Sequence, residues 1–301
     1  MVFLVGLRGS MKRGWIPLLL ALALLSGCGK RPALAEVLPD ELPAIVKAVS
    51  LPEPRRLEPI SAPAIVTEGR PPAEEYGLVP SIIGTEGSHD SDRRRWLDGG
   101  RIELAAETEN AALYVPTGQR DLETALIHWG TSLAEFDWVI FCGPNIIPPW
   151  LVCLDFDNNG EDELIVICHI GTGTGVSIDE LHILEKAPDG SLTNYTFPES
   201  LWQEQFPALF DTAQIHGRTF AMLGHELVEF EQEGLDLKTA SSGLIAQFNQ
   251  EGWSGLQFQG AFCLNLPGRH SPCYQARTSA QVTYQNGMFT LQDFHLYSYD
   301  Q

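Results

Sequence analysis

From Trp96 onward the chain alternates between short apolar runs and clusters of turn-forming residues, a pattern of strands rather than helices. Ala112–Val115, Ala125–His128 and Trp138–Cys142 read as strands, followed by a loop closed by Pro148-Pro149. Leu151–Leu154 and Leu164–Cys168 are short, β-branched and apolar, which marks them as buried strands. Leu181–Lys186 and Leu192–Phe197 flank the turn Pro188-Asp189-Gly190. Further strands are expected over Arg218–Leu223, Leu227–Glu231, Leu256–Leu264, Ala280–Tyr284 and Met288–Phe294. Asn286-Gly287 between the last two is the strongest short hairpin signal in the chain. Glu199–Phe210 is the best helix candidate, with Pro207 set to kink or end it. The expected fold is therefore mainly β: antiparallel strands in a blade-like or sandwich-like arrangement, with one or two short helices.

Between two of the apolar strands lies Asp155-Phe156-Asp157-Asn158-Asn159-Gly160-Glu161-Asp162-Glu163. Asp155, Asp157 and Asn159 occupy alternate positions, Gly160 follows at once, and Glu163 comes three residues later. Oxygen side chains at positions 1, 3, 5 and 9 with glycine at 6 suit a tight calcium loop, with the carbonyl of Glu161 at position 7 adding an oxygen. Position 12 is Val166, where a helix–loop–helix calcium site carries a bidentate glutamate, so the setting here is strand–loop–strand. Asp, Asn and Gly are also ordinary residues of a solvated acidic turn.

This loop, entered and left by strands and followed by a candidate hairpin over Leu181–Phe197, resembles the FG-GAP/VCBS type of repeat of integrin-like β-propellers. The resemblance spans about one blade, from Trp150 to Pro198, and implies a calcium loop within a β-blade-like unit. A closed propeller needs several such copies, and the chain contains no second loop of this kind.

The N-terminus carries a different signal. Lys12 and Arg13 precede an apolar run from Trp15 to Leu25, too short to span a membrane, which makes residues 1–27 a secretory signal with Met11 as the expected start. Leu25-Ser26-Gly27-Cys28 resembles a bacterial lipobox, which implies cleavage before Cys28 and its acylation, tethering the protein to a membrane surface. Residues 29–80 hold ten of the twenty prolines and read as a semi-rigid stalk, with at most a short helix around Asp40–Val49. Ser88–Arg95 reads as the solvated end of this linker, so that residues 28–95 form the stalk and 96–301 one globular domain.

Cys263 and Cys273 bracket a loop containing Pro267, Gly268 and Pro272, and in an oxidising exterior they are a candidate disulfide worth about 3 kcal/mol. Cys142, Cys153 and Cys168 lie in apolar strands, where cysteine acts as a small hydrophobe. A zinc site joining these thiols to His169 or His182 lacks the usual ligand spacing. Gly171-Thr172-Gly173-Thr174-Gly175 completes neither phosphate-loop pattern and reads as a flexible inter-strand loop. Hydrolase signatures are absent from the sequence.

A net charge of −20 and a pI near 4.7 argue against nucleic acid or anionic lipid headgroups as partners. Three function classes remain. The first is a lipid-anchored surface protein whose Ca2+-stabilised domain binds a protein or polysaccharide ligand or serves adhesion. The others are an exported hydrolase of envelope polymers with structural calcium, and an envelope-assembly factor that docks onto a protein.

Overall fold

In the computed structural model, the structure describes residues 52–72, 102–116, 121–122, 124–141, 147–230, 240–250, 255–264 and 273–298. The signal segment, Cys28, the short helix expected around Asp40–Val49, the Ser88–Arg95 linker end and Cys142 lie outside these residues. Among the described residues, nineteen strands follow one another in the order β1 (Ile60–Pro63), β2 (Ile65–Glu68), β3 (Ile102–Glu107), β4 (Ala111–Pro116), β5 (Asp121–Leu122), β6 (Ala125–Trp129), β7 (Ser132–Phe136), β8 (Ile140–Phe141), β9 (Trp150–Leu154) and β10 (Glu163–Gly173). They continue as β11 (Val176–Lys186), β12 (Leu192–Thr196), β13 (Phe210–Ile215), β14 (Arg218–Leu223), β15 (Glu226–Glu229), β16 (Ala240–Gln250), β17 (Leu256–Leu264), β18 (Cys273–Gln285) and β19 (Met288–Ser298). The mainly-β expectation holds. The helix expected over Glu199–Phe210 is a π turn, Leu201–Gln205, and a 3-10 turn, Pro207–Leu209, because Pro207 removes a backbone donor within it.

A ten-stranded sheet runs β1-β19-β18-β17-β16-β11-β10-β9, with β12 and β2 branching from β11, and this path does not close on itself. A four-stranded sheet (β3-β4-β6-β7), a three-stranded sheet (β13-β14-β15) and the pair β5-β8 complete the described architecture. The hinge of this arrangement is β10. Ile165 and Ile167 enter one core with Leu181, Ile183 and the phenylalanines Phe197, Phe248, Phe258 and Phe289. Leu164, Val166 and Cys168, on the opposite face, enter a second core with residues of β4, β6 and β7. Alternate side chains of one strand thus serve two cores, which is why that segment is apolar without interruption.

Strand β11 changes partner along its length. Val176–Ile178 pair in parallel with Leu244–Ala246 of β16, whereas His182–Lys186 pair antiparallel with β12. Where the parallel ladder stops, the Asp179 carboxylate accepts the Phe248 N–H at 3.3 Å, and His169, directly across from it on β10, holds the other carboxylate oxygen at 2.8 Å. The glycine–threonine run is not a separate loop: Gly171–Gly173 extend β10, and Thr174-Gly175 form a two-residue turn with Gly175 at φ +72°. Asn286-Gly287 form the expected hairpin turn, with φ of +51° and +71°.

The stalk expectation over residues 28–95 fails where the structure describes it. Residues 60–70 are part of the fold: β1 adds to the edge of β19, β2 adds to β12, and Arg70 bridges Glu135 of β7 through backbone bonds of 3.1 and 2.6 Å. The Arg70 guanidinium also contacts Asp137 at 2.7 Å and Glu135 at 3.2 Å. Gly69 is needed here, since a Cβ would meet Phe136 at 2.6 Å and Ala134 at 2.7 Å. Proline is tolerated because an edge strand needs only one ladder, and Pro63 stands at the end of β1. One short segment thereby covers three strand edges that would otherwise template association.

A chain beginning at Trp96 should accordingly be less stable by about 2–4 kcal/mol than one beginning at Val49, since it loses buried Ala62 and the packing of Leu57 and Ile60. Denaturant unfolding and light scattering of the two chains test this, the shorter one being expected to aggregate through β12 and β19.

Candidate metal centre

Eight residues link the end of β9 at Leu154 to the start of β10 at Glu163, and their turn is set by local chemistry. Asn158 sits at φ +61°, a conformation asparagine tolerates, and Gly160 at φ +93°. Asp157 Oδ1 accepts the Asn159 N–H at 3.0 Å, Asn159 Oδ1 accepts the Glu161 N–H at 2.7 Å, and Asp155 Oδ2 accepts the Gly160 N–H at 3.1 Å. These short bonds wind the loop inward around its acidic side chains.

Glu163 reaches back across the loop. Its Oε2 accepts the N–H of Phe156 at 2.7 Å and of Asp157 at 3.3 Å, and the residue is 1% exposed. Asp155, Asp157 and Glu163 each place a carboxylate oxygen so that the three lie within 4.8 Å of one another. Asp155 Oδ1 is buried without a hydrogen-bond partner among the described residues. Burial pushes the Glu163 carboxyl above its ordinary value; the N–H groups of Phe156 and Asp157 pull it back, and the charges of Asp157 and Asp155 push it up again. Like charges this close repel by roughly 3 kcal/mol per pair at an effective dielectric near 20.

The donor set suits a hard cation: three carboxylates, oxygen only, one of them otherwise unsatisfied. Of the five residues expected from spacing, the structure brings together Asp155, Asp157 and Glu163. Asn159 and Glu161 lie on the same loop but are exposed, and the Asn159 amide oxygen is turned onto the Glu161 N–H. Val166, at position 12, is fully buried in the second core and faces away from any loop ligand.

Beside the loop lies a cleft of about 730 Å³ that sequence spacing does not signal. Asn159, Glu161 and Asp162 form one side, and Glu185 and Lys186 the other, with Lys186 Nζ 4.3 Å from the Trp129 ring centroid. Cys153 opens onto the same cleft, and its thiol is raised above the ordinary value, chiefly by burial and further by Asp162, which keeps it protonated and unreactive.

The remaining sequence candidates are structural. His169 belongs to the Asp179 pair. His182 stacks on Trp138 at 3.9 Å and 10° and shares a 3.1 Å bond between Nδ1 and Thr196 Oγ1, while its Nε2 lies 3.1 Å from Glu180 without hydrogen-bond alignment. Neither joins a thiol: among the described residues the acidic trio is the one group of three side chains placed to hold a metal. The Cys263–Cys273 disulfide is not formed. Cys263 pairs with Tyr274 and Cys273 with Leu264, a one-residue offset that sends the two sulfurs to opposite faces of the sheet.

Glu163→Gln keeps an acceptor for both backbone N–H groups and removes the charge. In chelator, the ionised wild-type form carries a cost that is absent well below the ordinary carboxyl value of 4.5 and complete above the raised folded value. Wild-type stability should therefore fall relative to Glu163→Gln as pH rises through that window, and urea unfolding at a series of pH values should give curves that coincide in acid and separate above it.

Comparison with protein-family models, with curated proteins and with solved structures finds no match for this chain.

Proposed function

We propose that this protein is an exported, lipid-anchored surface protein whose β-domain is rigidified by Ca2+ and serves binding or adhesion rather than catalysis. The convergence of Asp155, Asp157 and Glu163 carries the reading, because it sets three carboxylates and an orphaned oxygen where a cation would relieve their repulsion without protonating them. Asp155 and Asp157 hold the outer side of the site and Glu163 its buried side, the latter oriented by the Phe156 and Asp157 N–H groups. When bound, Ca2+ supplies charge neutralisation and fixes the connection between β9 and β10, on which both cores rest. Three carboxylates and no ligand at position 12 place the affinity at the weak end of the extracellular range, about 10⁻³ M. The FG-GAP/VCBS likeness of the loop and the lipobox at Cys28 support the same reading, and export matches a cation abundant outside the cell. Among the described residues no helix is long and apolar enough to cross a membrane.

At a hundredfold excess over Kd, Ca2+ should stabilise the domain by about 2.7 kcal/mol, raising Tm by roughly 5–10 °C over protein in chelator. Asp157→Ala should abolish that difference in a calorimetric scan, and identical wild-type melting with Ca2+ and with chelator would remove the cation from the proposal. For the anchor, intact-mass measurement of membrane-extracted protein should show a diacyl or triacyl adduct on Cys28, and Cys28→Ser should release the protein to the soluble fraction.

A further inference from the structure

The outer face of β16–β19 has a composition unlike the rest of this acidic chain. Its directly opposed residues are Gln247 and Gln259, Asn249 and Gln257, Gln257 and Gln281, and Gln259 and Ser279. Period-two alternation places these side chains on one face, opposite the phenylalanines of the first core. In the middle of this face lies a groove of about 390 Å³, floored by the buried Ala261 and Ser279 and walled by Gln247, Gln257, Gln259 and Tyr297. None of its lining residues is acidic, on a chain with 39 acidic residues, and its one charged side chain, Arg277, is already engaged.

We infer that this groove is a binding site for a neutral, hydroxyl-rich polysaccharide chain. A primary amide offers two donors and an acceptor in one plane, which suits neighbouring sugar hydroxyls. Gln247 is held by a 2.9 Å bond from its Nε2 to Ser177 Oγ, while Gln257 and Gln259 spend no side-chain hydrogen bond among the described residues. Tyr297 is 43% exposed and presents a ring beside the amides, with its hydroxyl 3.4 Å from Ser279 Oγ. A small apolar ligand would call for a predominantly apolar lining, which this groove lacks. A bound polypeptide would call for an apolar core at its interface, whereas the walls of this groove are side-chain amides. An acidic polymer would need cations to spare, and Arg277 is committed.

This inference rests on the reading of the domain as a binding module but not on the cation, whose loop lies between β9 and β10. The test is affinity electrophoresis and pull-down of the full chain with cellulose, xylan, chitin and, as the acidic control, polygalacturonate, each with Ca2+ and with chelator. Retention by at least one neutral polymer is expected, with a loss of tenfold or more in Gln259→Ala and in Tyr297→Ala, both checked for an unchanged Tm. Should either variant melt early, Gln257→Ala takes its place. Absence of retention by every neutral polymer, retention by polygalacturonate alone, or equal retention of the variants would each overturn the assignment. Loss of the Ca2+-dependent Tm with retention intact would overturn the cation reading alone, and the reverse pattern would overturn this one alone.

Discussion

Two opposing demands meet at Glu163. It is a carboxylate with 1% exposure, and it is the first residue of a strand whose next positions are closed to water on both faces. Leu164, Val166 and Cys168 fill one core and Ile165 and Ile167 the other, so a slip of one residue along β9 would exchange the two sets and place Glu163 against a core. The bonds from Phe156 and Asp157 to Glu163 Oε2 fix the strand's starting position, and the acidic loop is the short connection across which they act. The strands paired through β10 follow from that point: β11 pairs along β10, and β16 and β12 pair with the two halves of β11.

The changeover on β11 has its own buried polar support. Leaving β16 at Ala246 would strand the Phe248 N–H, and the Asp179 carboxylate satisfies it while His169 holds the acid in place. Burial pushes the Asp179 carboxyl above its ordinary value and the His169 bond pulls it back, so removing the imidazole would leave a buried acid to answer for its own desolvation. On the other face, His182 is clamped between Trp138 and Thr196, and Asn194 links Thr196 to Thr67 of β2. The histidines that a sequence reader would examine for catalysis or zinc are the joints of the sheet.

Legibility in the sequence followed the range of the physics. Arg218–Leu223 and Leu256–Leu264 emerge with the bounds read from periodicity, and the Asn286-Gly287 turn emerges with the left-handed angles its residues favour, because those signals are local. Residues 60–70 were illegible as strands because their prolines argue for extended linker, and only the exposed edges of β12, β19 and β7 convert extended chain into sheet. The same limit explains Cys263 and Cys273: bracketing a loop is visible in sequence, but the face each sulfur occupies is decided by pairing on β17 and β18. In the loop, the spacing marks the three carboxylates that the structure brings together, yet the depth of Glu163 and its hold on two backbone donors depend on the strands that bury it.

Three acids in one turn are hard to account for as shape alone. Asx turns at Asp157 and Asn159 would form equally well with asparagine at both positions, and the left-handed residues Asn158 and Gly160 need no charge nearby. Asparagine or glutamine would also avoid the repulsion among the trio and the desolvation of Glu163, a saving made larger by a chain that already carries −20. Charge-assisted acceptance of the Phe156, Asp157 and Gly160 N–H groups favours carboxylates over amides in part, and on the proposed cation reading the repulsion within the trio becomes an attraction to the ion. The buried Asp155 Oδ1, without a hydrogen-bond partner among the described residues, is the atom that such an ion would compensate most.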